Sequence, residues 1–288
     1  MQANQVFIDP FPHLTMDGAL FPADIDAACS NWPSVEQMEP EPGDHQRSWC
    51  NLVINDQPTN CSIFDSNGNF WRTFLAEKLF PLYNGVRDSL APFIADRFGT
   101  VPPLVLRQLT LMQSELGFDQ HPAHTHYRFA PDWIFTVLIH IEDSGDTSRG
   151  SRLFRHLEMG EIINGPTHKQ AEYALINLPE RCETAVDIQF KPGRMVALSE
   201  GPWCLHGSTP GNTGAGRKII RCHVGVPTEA VRNAYGSETG EAYRKALENM
   251  ANGGETPPLL KSSFCHDMSA PDRWHAIQSA ADVDHGVA

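Results

Sequence analysis

Apolar residues recur along this chain with two different periods, and the change of period divides it. In the N-terminal third the spacing is helical: after a short strand expected at 6–8, residues 23–31 form an amphipathic stretch that Pro33 terminates. Residues 36–62 show no sustained period and read as irregular. Phe74, Leu75, Leu79, Leu82, Val86, Leu90 and Ile94 then fall three and four apart. That spacing predicts a helix over 70–98 with a core-facing stripe, interrupted near Pro81.

Between residues 103 and 227 the period shortens to two. LVLRQLTLMQ, WIFTVLIHIE, SRLFRHL, YALINL, AVDIQF, RMVALS and RKIIRCHVGV are β-branched or alternating runs separated by Gly, Pro, Asp and Ser. Strands at such spacing predict a mainly β protein with flanking helices, built as a sandwich or jelly roll. A further helix is expected over 229–252, followed by a polar tail. No repeat or linker divides the chain. Its 288 residues read as one domain, with an N-terminal strand and helices (1–102), a jelly-roll core (103–227) and a C-terminal helical extension (228–288).

Composition narrows the function. A formal charge of −13 with no Lys/Arg run disfavours nucleic acid, which would be repelled. Cys29, Cys50, Cys61, Cys182, Cys204, Cys222 and Cys265 are odd in number and never spaced CxxC, which argues against a disulfide framework or a thiolate zinc site and fits a reducing cytoplasm. The N-terminus lacks a signal-peptide pattern, and no apolar run approaches the ~18 residues of a membrane span. A soluble cytoplasmic protein acting on a small molecule is expected, with no nucleic-acid or membrane partner. A homodimer through the C-terminal helix is an open alternative that the sequence does not decide.

Of thirteen histidines, position in the strand pattern singles out a few. His124 and His126 are two apart, so on an extended segment both imidazoles project from one face, as metal ligands must. HxH alone is a weak signal, because two polar residues on a solvated strand look the same. Downstream, a Pro-Gly turn, a strand, a Gly/Pro loop, His206 and then Arg217, eleven residues on, strengthen it.

In that order, His124, Phe135-Thr136-Val137-Leu138, Asp143–Gly150, Lys191-Pro192-Gly193, His206 and Arg217 resemble the Fe(II)/2-oxoglutarate-dependent oxygenases, especially their prolyl-4-hydroxylase-like branch. The opening PFPHLTMDGALFPADIDAACSNWP is similar as well, so the resemblance spans residues 7–226. It implies a double-stranded β-helix core with Fe(II) held by His124, His206 and His126. Dioxygen and 2-oxoglutarate would be cosubstrates, and an unactivated C–H of an amino acid or natural-product intermediate would be hydroxylated with release of succinate and CO2. Two imidazoles and one further ligand on one face leave positions open for 2-oxoglutarate and dioxygen. A guanidinium suits the far carboxylate of the cosubstrate because it stays charged and binds in bidentate fashion. That is the role expected of Arg217, with Arg221 on the same face as its substitute. Thr136 and Gln108 are candidates for further hydrogen bonds to the cosubstrate. Trp203, Arg128 and His140 are candidates for the substrate pocket.

The chain departs from the family at His126, where a carboxylate is the rule. Either the imidazole ligates, giving a three-histidine site with one negative charge fewer, or it turns away and water or an anion fills the place, or a carboxylate such as Asp132 or Glu115 completes the site from a loop. Halogenation is disfavoured, because a bulky imidazole leaves no room for halide. Three other classes compete: a three-histidine zinc lyase or hydrolase, which leaves Arg217 unexplained; a cupin-type dioxygenase, whose expected glutamate is missing from the YRFAP that follows His126; and a non-catalytic jelly-roll binding module.

Overall fold

The computed structural model describes residues 5–41, 44–59, 63, 67–114, 123–126, 132–143, 150–156, 174–175, 182–201, 204–208 and 217–235. Its helices are α1 (Pro22–Ser30), α2 (Gly68–Phe74), α3 (Phe80–Phe98) and α4 (Thr228–Tyr235). Its strands in chain order are β1 (His13–Met16), β2 (Glu39–Glu41), β3 (Asp44–Ile54), β4 (Gln57–Pro58), β5 (Val105–Ser114), β6 (His124–Thr125), β7 (Trp133–Asp143), β8 (Ser151–His156), β9 (Ala174–Leu175), β10 (Cys182–Ile188), β11 (Met195–Ser199), β12 (His206–Ser208) and β13 (Arg217–Gly225).

These strands form two antiparallel sheets. The larger runs β1-β11-β7-β13-β5-β3-β2, with β4 on β3, and the smaller runs β10-β8-β12-β6-β9. Together they make a double-stranded β-helix, the jelly roll expected from the period-two runs. Alternation sorts the side chains of the larger sheet into two layers. Val137, Ile139, Leu109, Leu111, Ile220, Cys222 and Val224 join Leu82, Val86, Leu90 and Ile94 of α3 in the main core. The opposite face looks into the barrel, where Val196 and Leu198 meet Leu153 and Ile188 of the smaller sheet. Burial of each large apolar side chain contributes about 1.5–3 kcal/mol, so the helical layer is what holds the larger sheet flat against its support.

Two N-terminal expectations need correction. The strand expected at 6–8 is reduced to a single bridge between Phe7 and His13, and the paired strand is β1, which lies beyond the Pro10/Pro12 turn and pairs with β11. Residues 36–62 are not irregular, for they contribute β2, β3 and β4 to the larger sheet. Their period was hidden because Arg47 and Asn51 put polar groups among the barrel-facing positions of β3 and a bulge between Asn51 and Val53 shifts the alternation, so that Cys50, Leu52 and Val53 all reach the main core. The helix expected over 70–98 contains a π-helical turn at Leu75–Leu79, just before Pro81, whose missing N–H breaks the regular ladder. The helix expected over 229–252 is seen in its first turns as α4, and the remainder lies outside the described residues.

The Pro-Gly element is a type II turn. Arg194 N–H bonds Lys191 O at 2.9 Å, and Gly193 has φ +78°. Gly150 matters for another reason: a Cβ there would sit 1.7 Å from the carbonyl oxygen of Ile188. Gly150→Ala is therefore expected to prise β8 from β10 and lower the thermal midpoint well beyond Gly18→Ala, where a Cβ meets nothing within 4 Å. Thermal unfolding followed by circular dichroism would check this, and equal midpoints for the two variants would contradict it.

Candidate metal centre

The two short strands β6 and β12 pair at a single rung, His124 opposite His206. His126 follows two residues after His124, so it returns to the same side. The three rings converge, with centroids 4.5 Å apart for His124–His206, 4.9 Å for His126–His206 and 5.1 Å for His124–His126. One ring nitrogen from each lies within 4.8 Å of the others, and all three side chains are buried.

Two of these rings have their second nitrogen fixed by a partner. His206 Nδ1 lies 3.0 Å from the carbonyl oxygen of Cys204, and His126 Nδ1 lies 2.9 Å from Glu200 Oε1. In each case Nδ1–H donates, which leaves Nε2 as the lone-pair nitrogen, the arrangement that orients an imidazole toward a metal. The donor set therefore fits a divalent cation of borderline character, such as Fe(II) or Zn(II).

Behind His126 lies a buried polar chain absent from the sequence-based expectations. Glu200 follows β11 directly. Its backbone is held by Ile134 O and by Arg97 Nη1, which donates to its carbonyl at 2.9 Å. The Thr136 hydroxyl donates to Glu200 Oε1, and His223 Nδ1 sits 2.7 Å from the Thr136 oxygen. His223 stacks on Trp133 at 4.0 Å. His126, Glu200 and His223 also offer ligand atoms within 4.8 Å of one another, but the Thr136 hydroxyl is bonded into the middle of that group.

Burial sets the charge states. It pushes His206 down to about 4, aided by His126 and Arg221 and opposed by Glu200. It pushes His223 well below its ordinary value, with Arg221 adding to the effect. Burial alone would raise the Glu200 carboxyl. His126, His206 and the Thr136 hydroxyl outweigh that and hold it below the usual carboxylate value.

The other expected residues divide by position. On β13, Arg217, Ile219, Arg221 and His223 share the barrel-facing side, opposite Ser114, Met112, Thr110 and Gln108 of β5. Arg217 is buried, and its Nη1 reaches Gly150 O at 3.4 Å. Arg221 lies over the Trp49 ring at 5.6 Å. Thr136 and Gln108 are engaged within the protein: the Thr136 hydroxyl serves Glu200 and His223, and the Gln108 amide donates to Asn51 Oδ1 at 2.9 Å. His140 is enclosed, stacked on Phe190 at 4.2 Å, and its Nδ1 accepts from Lys191 N–H at 3.2 Å. Asp132 pairs with Arg107 at 2.5 Å, so this loop carboxylate is not at the histidines. Trp203, Arg128 and Glu115 lie outside the described residues.

Fold and site together define the class: a jelly roll whose two sheets enclose three converging imidazoles beside a barrel-facing row of arginines. No protein-family model and no curated protein matches the sequence. Among solved structures the chain is similar to SnoK, a non-haem α-ketoglutarate-dependent carbocyclase from nogalamycin biosynthesis, at 12% identity over 74% of this chain and 79% of that one, TM-score 0.49. It is similar to the epimerase SnoN, solved with Fe3+, α-ketoglutarate and nogalamycin RO, at 12% identity over 75% and 79%, TM-score 0.47. It is also similar to HygX from Streptomyces hygroscopicus, solved with nickel, 2-oxoglutarate and hygromycin B, at 12% identity over 74% and 82%, TM-score 0.44. A further similar structure, from Burkholderia pseudomallei, is an oxidoreductase of the 2OG-Fe(II) oxygenase family. Likeness at this distance carries no residue-level information, so the chemistry rests on the residues of this chain. No helix among the described residues is long and apolar enough to cross a membrane.

The enclosed His140 makes a pH prediction. Burial first, then the charges of Arg217 and Arg194, lower it from 6.5 to about 3. The unfolded chain therefore binds the extra proton between those values. Stability from this ring is complete above pH 6.5 and is lost as pH falls toward 3, at up to ~1.4 kcal/mol per pH unit. Urea midpoints measured from neutral pH downward should fall for the wild type and fall less steeply for His140→Leu. Identical slopes would rule out His140 as a contributor.

Proposed function

We propose that this chain is an Fe(II)- and 2-oxoglutarate-dependent oxygenase that hydroxylates an unactivated C–H of a small molecule, in the cytoplasm. The observation that carries the reading is the convergence of His124, His126 and His206 on one point, with Arg217 on the facing sheet. A three-histidine zinc centre accounts for the first half of that arrangement and not for the second. When bound with Fe(II), 2-oxoglutarate would supply two electrons and leave as succinate and CO2, and dioxygen would be the oxidant, one oxygen atom entering succinate and the other the hydroxylated product.

The protein's own residues bind and orient. His124, His126 and His206 would hold the metal. Arg217 is assigned the far carboxylate of 2-oxoglutarate. Its guanidinium reaches Gly150, just ahead of Ser151, whereas His206 pairs with Leu153. Two to three residues along a strand is roughly 7–10 Å, which sets the guanidinium apart from the histidines rather than among them. Arg221 acts closer to the metal, since its charge is felt at His206 and His223. Leu153, Val196 and Leu198 line the interior between the sheets and exclude water from the reacting groups.

Anaerobic addition of Fe(II) and 2-oxoglutarate to the purified protein is expected to give a weak visible charge-transfer band, and zinc chemistry would give none. His206→Ala should abolish iron-dependent succinate formation. Arg217→Ala should raise the 2-oxoglutarate concentration needed by roughly 10- to 100-fold, the loss of a charge-assisted hydrogen-bonded pair. Unchanged turnover in both variants would sink the assignment.

A further inference from the structure

A site of three neutral imidazoles leaves a divalent metal with no negative protein ligand, so its charge is not offset within its own ligand set. The nearest carboxylate among the described residues is Glu200, which is only 4% exposed. Its Oε1 lies 2.9 Å from His126 Nδ1. The placement is built from three directions. Arg97 and Ile134 pin the Glu200 backbone, the Thr136 hydroxyl bonds Oε1, and His223 supports Thr136 while stacked on Trp133. Glu200 Oε2 has no hydrogen-bond partner among the described residues, so Oε1 alone carries both contacts. A buried carboxylate is costly, and one held by so many groups has a defined task.

Resting on the metal reading of the histidine cluster, we infer that Glu200 is a positioning residue for His126. Through Nδ1–H it gives the three-histidine centre the fixed ring orientation and the negative charge that a directly ligating carboxylate would otherwise supply. The hydrogen bond makes His126 a stronger donor at Nε2 and locks its tautomer. The charge stays one imidazole away from the metal, so the third protein position remains a nitrogen. Thr136 and His223 then serve to hold the carboxylate, which explains why a strand threonine and a fully enclosed histidine share one hydrogen bond. In the competing arrangement Glu200, His223 and Nδ1 of His126 would hold the metal themselves.

The test is Co(II) titration of the metal-free full chain, read by visible absorption, with thermal unfolding of each metal-free variant as the check on folding. Glu200→Gln is expected to weaken Co(II) binding by about 10- to 100-fold with little change in the metal-free midpoint. His223→Phe should keep Co(II) binding within severalfold, whereas His124→Ala and His206→Ala should lose it. If Glu200→Gln does not fold, long-range proton–nitrogen NMR of the wild type with Zn(II) decides instead. The expected spectrum has His126 protonated at Nδ1 and bound through Nε2.

A Glu200→Gln affinity within twofold of wild type, a His126 bound through Nδ1, or loss of binding in His223→Phe would each overturn the role of Glu200 while leaving a metal centre in place. Wild-type protein that takes up no Co(II) would overturn the metal reading itself, and this role with it.

Discussion

Polar groups enclosed between two sheets must satisfy one another, and that constraint shapes the centre of this molecule. Leaving any one of these buried groups unpaired costs about 1–3 kcal/mol, more if it is charged. His126, Glu200, Thr136 and His223 form one continuous chain of contacts. The larger sheet brings them into register, because β7 carries Thr136 opposite His223 of β13 and β11 delivers Glu200 beside them. The smaller sheet carries the remaining two rings, His124 and His206, at one rung. The site thus exists only where the two sheets face each other.

The helices serve the site indirectly. The α3 stripe packs on the outer face of the larger sheet, so that face is apolar and the barrel-facing side is free to carry Arg217, Arg221 and His223. At its C-terminal end, Arg97 donates to the carbonyls of Trp133 and Glu200. One side chain thereby couples the supporting helix to the two strand ends that frame the polar chain. The exposed ion pairs of Asp17 with Lys191 and Arg194 tie β1 to the Pro-Gly turn, and contribute little on their own because water screens them.

A carboxylate behind a histidine, in place of a carboxylate on the metal, changes what the centre can do. On the proposed metal reading, charge delivered through an imidazole is softer and more distant than a direct bond, so a metal held there would keep an all-nitrogen protein face while its net field was partly neutralised. The apolar lining of Leu153, Val196 and Leu198 lowers the local dielectric and strengthens every such interaction.

Strand periodicity, the two-residue spacing of His124 and His126, and the order of the Pro-Gly turn, His206 and Arg217 were all legible from the sequence, because each depends on neighbours close along the chain. The β-rich core and the stripe of α3 followed from the same local repeats. Strand β3 was not legible, since Arg47 and Asn51 interrupt its barrel-facing side and a bulge after Asn51 breaks the alternation. Nor was Glu200: it lies 74 residues from His126 and looks like an ordinary acidic residue at a strand end. The same holds for the Thr136 hydroxyl, the Gln108 amide and His140 Nδ1, which are taken up by partners that only folding brings near. Local spacing determined which side chains face the barrel, and tertiary structure decided which of them meet, because hydrogen-bond partners are chosen by proximity in space.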